Sequence, residues 1–114
     1  MLYFRGVAFA LSMVFLSSAM SSARAGCYEI IGCTNSDAFQ ERDLSRMSCQ
    51  ILGEVRNSIY AENGYCFKKL KYQRIFGNQN CSYTSDGDVP MSRLERANVR
   101  VIRNVERNMG CTDD

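Results

Sequence analysis

Six cysteines constrain this chain more than any other feature: Cys27, Cys33, Cys49, Cys66, Cys81 and Cys111. A zinc site is one use for them, but there is no C-x-x-C pair and no His to complete a ligand set. In a short exported chain, an even count makes a disulfide framework instead. The start of the chain argues for export. Arg5 supplies a positive n-region, residues 7–16 form a ten-residue apolar run, and Ala23-Arg24-Ala25 is an A-x-A site that places cleavage before Gly26. That run is about half of the roughly 20 residues a membrane span needs, so no transmembrane anchor is expected after cleavage. A lipoprotein reading of Cys27 lacks the bulky aliphatic residue normally wanted where Arg24 stands. Residues 1–25 therefore read as a signal peptide and 26–114 as one disulfide-rich domain.

A mature chain this short builds one modest core, so each bridge matters, stabilising by roughly 2–4 kcal/mol. Six cysteines allow fifteen connectivities. Cys66–Cys81 is preferred because the two flank one short helical segment; the rest stays open.

Export also changes the charge. The full chain carries +2, but Arg5 and Arg24 leave with the signal peptide and no acidic residue does. The mature domain has twelve cations and twelve anions. Nucleic acid is a poor partner for an exported neutral domain without interleaved aromatics. The missing His removes a Ser-His-Asp triad, a Cys-His pair and a histidine pH switch. Thiol redox catalysis would want a C-x-x-C pair. No cofactor or metal is expected.

Hydrophobic periodicity predicts a mainly α domain: two longer helices and one short helix behind an irregular N-terminal segment. Tyr28 to Ile31 suggests a short strand. Leu44, Met47, Ile51, Leu52, Val55 and Ile59 predict a helix over 45–63, capped by Ser45 or Asp43 and stopped at Gly64. Gly53 inside it suggests close helix packing. Arg56 falls at the edge of the apolar stripe, where a carboxylate or carbonyl should meet it. The short helix covers 69–76, with Leu70, Ile75 and Phe76 inward. Ser92-x-x-Glu95 is a capping box for the last helix, about 93–109. Its apolar face is Met91, Leu94, Val101, Ile102, Val105 and Met109. Asn98 lies on that face and should be buried and fully hydrogen-bonded.

The same helix carries Arg93, Arg96, Arg100, Arg103 and Arg107 at alternating three- and four-residue steps, one stripe opposite the apolar face. Such a stripe suits an anionic polymer. The competing reading is a solvated face partly neutralised by Glu95, Glu106 and acidic loops. Asp86 and Asp88 flank Gly87 without the order or the distant Glu of a calcium loop, and read as a turn. Glu54 and Glu62 are candidates for paired-carboxylate hydrolysis only as any acidic pair is. No phosphate-binding Gly-rich motif occurs.

The stretch Val55-Arg56-Asn57-Ser58-Ile59-Tyr60-Ala61-Glu62-Asn63-Gly64-Tyr65-Cys66-Phe67 resembles the signature R-N-x-I-Y-A-R-H-G-Y-x-F of the YARHG domain. Glu62 and Asn63 stand where that family has Arg and His. Downstream, Met91-Ser92-x-x-Glu95-x-x-Asn98-Val99-x-x-Ile102 is similar to its second motif, L-S-x-x-E-x-x-N-x-x-x-I. The family's Trp-Tyr pair is reduced to Ser82-Tyr83. The resemblance covers about 44–107. It implies a small, mainly helical, extracytoplasmic bacterial domain of envelope or secreted proteins, for which cell-envelope binding has been suggested. Packing of Tyr60, Tyr65 and Phe67 around the helix stop gives most of the motif a structural role.

The expectation is thus a non-enzymatic periplasmic or secreted protein that binds cell-wall or other anionic envelope components through the arginine stripe and the Tyr60/Tyr65 region. The alternative is a secreted inhibitor or toxin-like protein acting on a protein partner. An enzyme would need two acidic residues converging in a cleft. Nothing in the sequence sets the oligomeric state.

Overall fold

A computed structural model describes residues 26–112; the signal-peptide reading of 1–25 lies outside the described residues. Four helices follow a small hairpin: α1 (Glu41–Leu44), α2 (Cys49–Glu62), α3 (Leu70–Phe76) and α4 (Arg93–Met109). The expected strand is split. β1 (Cys27–Tyr28) pairs antiparallel with β2 (Gly32–Cys33), and Cys27–Cys33 closes the hairpin. The turn between them lets Ile31 fall into the core. With its sulfur bonded to Cys33, Cys27 offers no thiol for the acylation a lipoprotein requires.

The core lies between α2 and α4. Leu44, Leu52, Ile59 and Ile102 are completely buried, each worth about 1.5–3 kcal/mol of transfer free energy. The predicted long helix over 45–63 starts later. α1 is one separate turn ending at Leu44, and Ser48 rather than Ser45 or Asp43 caps α2, its hydroxyl accepting from the Ile51 amide (3.2 Å). Ile51, expected inward, is exposed. Asn63 caps the other end. Gly64 then reverses the chain at φ +90°, a conformation costly for any residue with a Cβ.

The short third helix turns differently from the expectation. Leu70 and Ile75 are exposed, and Tyr72 is the buried residue. The reason is the contact with α2: a Cβ on Gly53 would lie only 3.0 Å from the Tyr72 hydroxyl, so the glycine makes room for that ring. Phe76, four residues on and on the same face, stacks on Phe67 with centroids 5.3 Å apart.

α4 is also rotated from a purely apolar reading. Its buried residues are Glu95, Asn98, Val99, Ile102, Val105 and Glu106, while Met109 is exposed and Leu94 and Val101 are half-buried. Three polar groups thus face the core, and each has partners. The Asn98 carbonyl accepts from the Phe39 amide (2.9 Å), and its amide donates to the carbonyls of Thr34 (3.0 Å) and Asp37 (2.8 Å). One side chain at 1% exposure pins the N-terminal segment to α4. Asn98→Ala strands two buried backbone groups and a half-buried third, so chemical denaturation of the oxidised protein should show a loss of about 3 kcal/mol.

The remaining bridges are Cys49–Cys111, which ties the start of α2 to the residue after the Gly110 cap of α4, and Cys66–Cys81, the pairing expected from sequence. The latter holds together a turn in which the Cys66 amide donates to the Tyr83 carbonyl (2.7 Å) and the Tyr83 amide to Gly64 (3.0 Å).

Candidate functional site

α2 ends at Glu62 and the chain reverses at Gly64, so Tyr60 in the last turn of the helix and Tyr65 after the reversal come side by side. Their rings meet edge to face, 5.7 Å apart. Tyr65 meets Phe67 in the same way at 4.9 Å, within the separations at which aromatic pairs attract. Phe67 is fixed through its backbone. Its amide donates to the Asn78 side-chain oxygen (2.8 Å), and its carbonyl accepts from the Asn78 and Gln73 amides (2.8 Å each).

This aromatic floor opens into a cleft of about 680 Å³ between α2, the 65–72 segment and the C-terminal half of α4. Among the described residues, Arg56, Lys68, Lys69, Lys71, Arg103 and Arg107 line it, against two carboxylates, Asp86 and Glu106. Glu106 is already engaged. Arg56 donates from Nε to its Oε1 (2.7 Å) and from Nη2 to its Oε2 (3.1 Å), a bidentate pair across α2 and α4. Arg56 at the stripe edge therefore meets a carboxylate, as its position implies.

The five arginines of α4 are all exposed, but they divide. Arg103 and Arg107 reach the cleft. Arg103 donates to the Tyr60 hydroxyl (3.1 Å), and Arg107 donates to Asn104. Arg93, Arg96 and Arg100 lie outside the cleft lining, and Arg96 donates to the Met91 carbonyl (3.3 Å). The neutralised-face reading assigned them Glu95, Glu106 and acidic loops, and the structure commits the two glutamates elsewhere. Glu106 belongs to Arg56. Glu95 accepts from the Ser92 amide (3.0 Å) in the capping box and from the Asn63 side chain (2.7 Å). Among the described residues, none of the five arginines forms a salt bridge.

The lysines were the part that the sequence reading missed. The signal was present as a Lys68-Lys69-x-Lys71 run directly after Cys66-Phe67. Only the folded chain shows that it faces Arg103 and Arg107. Asp86–Asp88 forms a single 3-10 turn, consistent with the turn reading of that segment.

Asn63 shows what holds the site's frame. Besides Glu95, its side chain donates back to the Ile59 carbonyl (2.8 Å). The residue standing in place of the family's His thus links the end of the first motif to the Glu of the second.

These features define a class: a small domain of exported type, stapled by disulfides, with a cationic cleft on an aromatic floor. The family model of the YARHG domain matches residues 27–107, and the chain belongs to that family, an extracytoplasmic domain. The match begins at the hairpin, ahead of the two motifs. No curated protein and no solved structure matches the chain.

Proposed function

We propose that this domain is a non-enzymatic binding module of the periplasm or the secreted medium, and that the cleft takes anionic repeats of cell-wall polymer. The observation that carries this reading is the arrangement of charge. In a mature domain with equal numbers of cations and anions, Lys68, Lys69, Lys71, Arg103 and Arg107 gather in one cleft where, among the described residues, Asp86 is the carboxylate besides the Arg56-paired Glu106. Cations on low-dielectric walls focus the field on an anion far better than the same charges scattered. Tyr60 and Tyr65 add apolar surface with hydroxyls at their edge, suited to a sugar ring beside its carboxylate or phosphate.

Retention of the oxidised 26–114 protein on purified peptidoglycan tests it. Binding should be strong near 0.01 M salt and fall steeply above about 0.1 M, where the Debye length shrinks to about 10 Å. Arg103→Glu with Arg107→Glu should lower retention at least tenfold, and Arg93→Glu with Arg100→Glu much less. Equal effects of the two pairs would move the contact from the cleft to the whole stripe. No retention at low salt, with one stoichiometric protein co-purifying instead, would favour the inhibitor-like reading.

A further inference from the structure

The corner where the hairpin meets the end of α2 holds an arrangement that the cleft does not use. Gly26 has φ +96°, and its carbonyl accepts from the Thr34 amide (2.7 Å). A Cβ built on Gly26 would lie 2.1 Å from Glu62 Oε1 and 2.4 Å from Thr34 Oγ1. No side chain fits there, and the Gly26 Cα sits directly against the carboxylate. Its nitrogen, one bond of about 1.5 Å away, is then within about 5 Å of Oε1. The other oxygen is anchored: the Thr34 hydroxyl donates to Oε2 (2.9 Å) from a residue 1% exposed.

Glu62 is poorly placed for a carboxylate. It ends α2, where the helix dipole disfavours negative charge. Glu62 is exposed as a whole residue, but partial burial of its carboxyl lifts it above the usual glutamate range; the Thr34 hydrogen bond pulls it partly back, and the nearby Glu95 charge adds to the rise. Among the described side chains, no cation forms a salt bridge with it. The residue that touches it is the one that the A-x-A site makes first in the mature chain.

We propose that Glu62, held by Thr34, receives the chain's own N-terminal ammonium, which comes into being when a signal endopeptidase and water hydrolyse the Ala25–Gly26 bond. Hydrolysis leaves Ala25 with a carboxylate and Gly26 with a primary amine, which takes up a proton near neutral pH. The precursor's amide offers one hydrogen in a fixed direction and no charge. The ammonium offers three and a full positive charge, so processing supplies the counter-ion that Glu62 lacks. Gly26 serves both steps: it is a small residue after the cleavage site, and it leaves space for the carboxylate. The inference rests on the export reading and is independent of what the cleft binds.

The test uses the full chain, secreted from an exporting host and recovered oxidised. Intact mass and N-terminal sequencing should give Gly26 as the first residue. Thermal unfolding is then compared for the free amine and for the selectively Nα-acetylated protein, each with Glu62 and with the isosteric Glu62→Gln. Acetylation should lower Tm by several degrees with Glu62 and leave Glu62→Gln unchanged. The α-amine should titrate above its usual range of about 7.7–8.0 only when Glu62 is present. A first residue other than Gly26, or the same acetylation effect in both backgrounds, overturns the proposal. Peptidoglycan retention enters neither readout.

Discussion

Replacing Cys49 and Cys111 together by serine should cost about 4 kcal/mol, the largest effect of any bridge here. The bridge joins residues 62 apart in sequence, and the entropy it removes from the unfolded chain grows with the logarithm of the loop it closes. Cys66–Cys81, at a separation of 15, should be worth about 3 kcal/mol, and Cys27–Cys33, at 6, about 2. Domains of this size have a total stability of about 5–15 kcal/mol, so the Cys49/Cys111 variant keeps only a fraction of it. Its Tm should fall by roughly 20 °C, at about 4–8 °C for each kcal/mol. Calorimetry on the three double-serine proteins checks the order. A Cys27/Cys33 variant as destabilised as the Cys49/Cys111 variant would show that native contacts around the bridges, not loop closure, set their value.

Arg56→Ala should cost about 3 kcal/mol, and Glu106→Ala a similar amount. Their side chains are only 13% and 10% exposed, and each is the other's bidentate partner. Removing one leaves the other charge largely buried between α2 and α4 at the edge of the cleft, and that desolvation, rather than the lost attraction, dominates the effect. The double variant Arg56→Met with Glu106→Leu should therefore recover most of the loss, since an apolar pair of similar volume carries no such penalty. Urea denaturation of Arg56→Met, Glu106→Leu and the double variant closes the cycle. Single losses that simply add in the double would show that the pair acts as two independent surface charges.

Much of this fold was legible in the sequence, and the misses share a cause. Helix content, the capping box at Ser92, the buried role of Asn98 and the Cys66–Cys81 pairing follow from local rules about caps, periodicity and spacing. Long-range contacts decided the rest. An apolar count along α4 placed Met109 inward and left Glu95 and Glu106 outside. The actual inward face is polar at three positions because Phe39, Asn63 and Arg56, far away in sequence, supply partners for Asn98, Glu95 and Glu106. The same holds for α3. Its seven residues carry too little periodic signal to show that Tyr72, and not Leu70, faces α2; the Gly53 contact settles it.

The site was legible in halves. Tyr60, Tyr65 and the arginine stripe could be found from their types and steps. That Arg103 and Arg107 leave the other three and join a lysine run across a cleft depends on how α4 lies against the 65–72 segment, which no local pattern encodes. The fate of Glu95 and Glu106 was equally hidden, and it leaves the stripe without ion pairs among the described residues.

The placement of the two longer-range disulfides has a consequence for timing. Cys49 and Cys111 both line the cleft, and Cys66–Cys81 fastens the segment that carries its lysines. Each wall is thus tied down by an oxidation event. A chain still in a reducing compartment carries every residue of the site without the two covalent ties that fasten its walls.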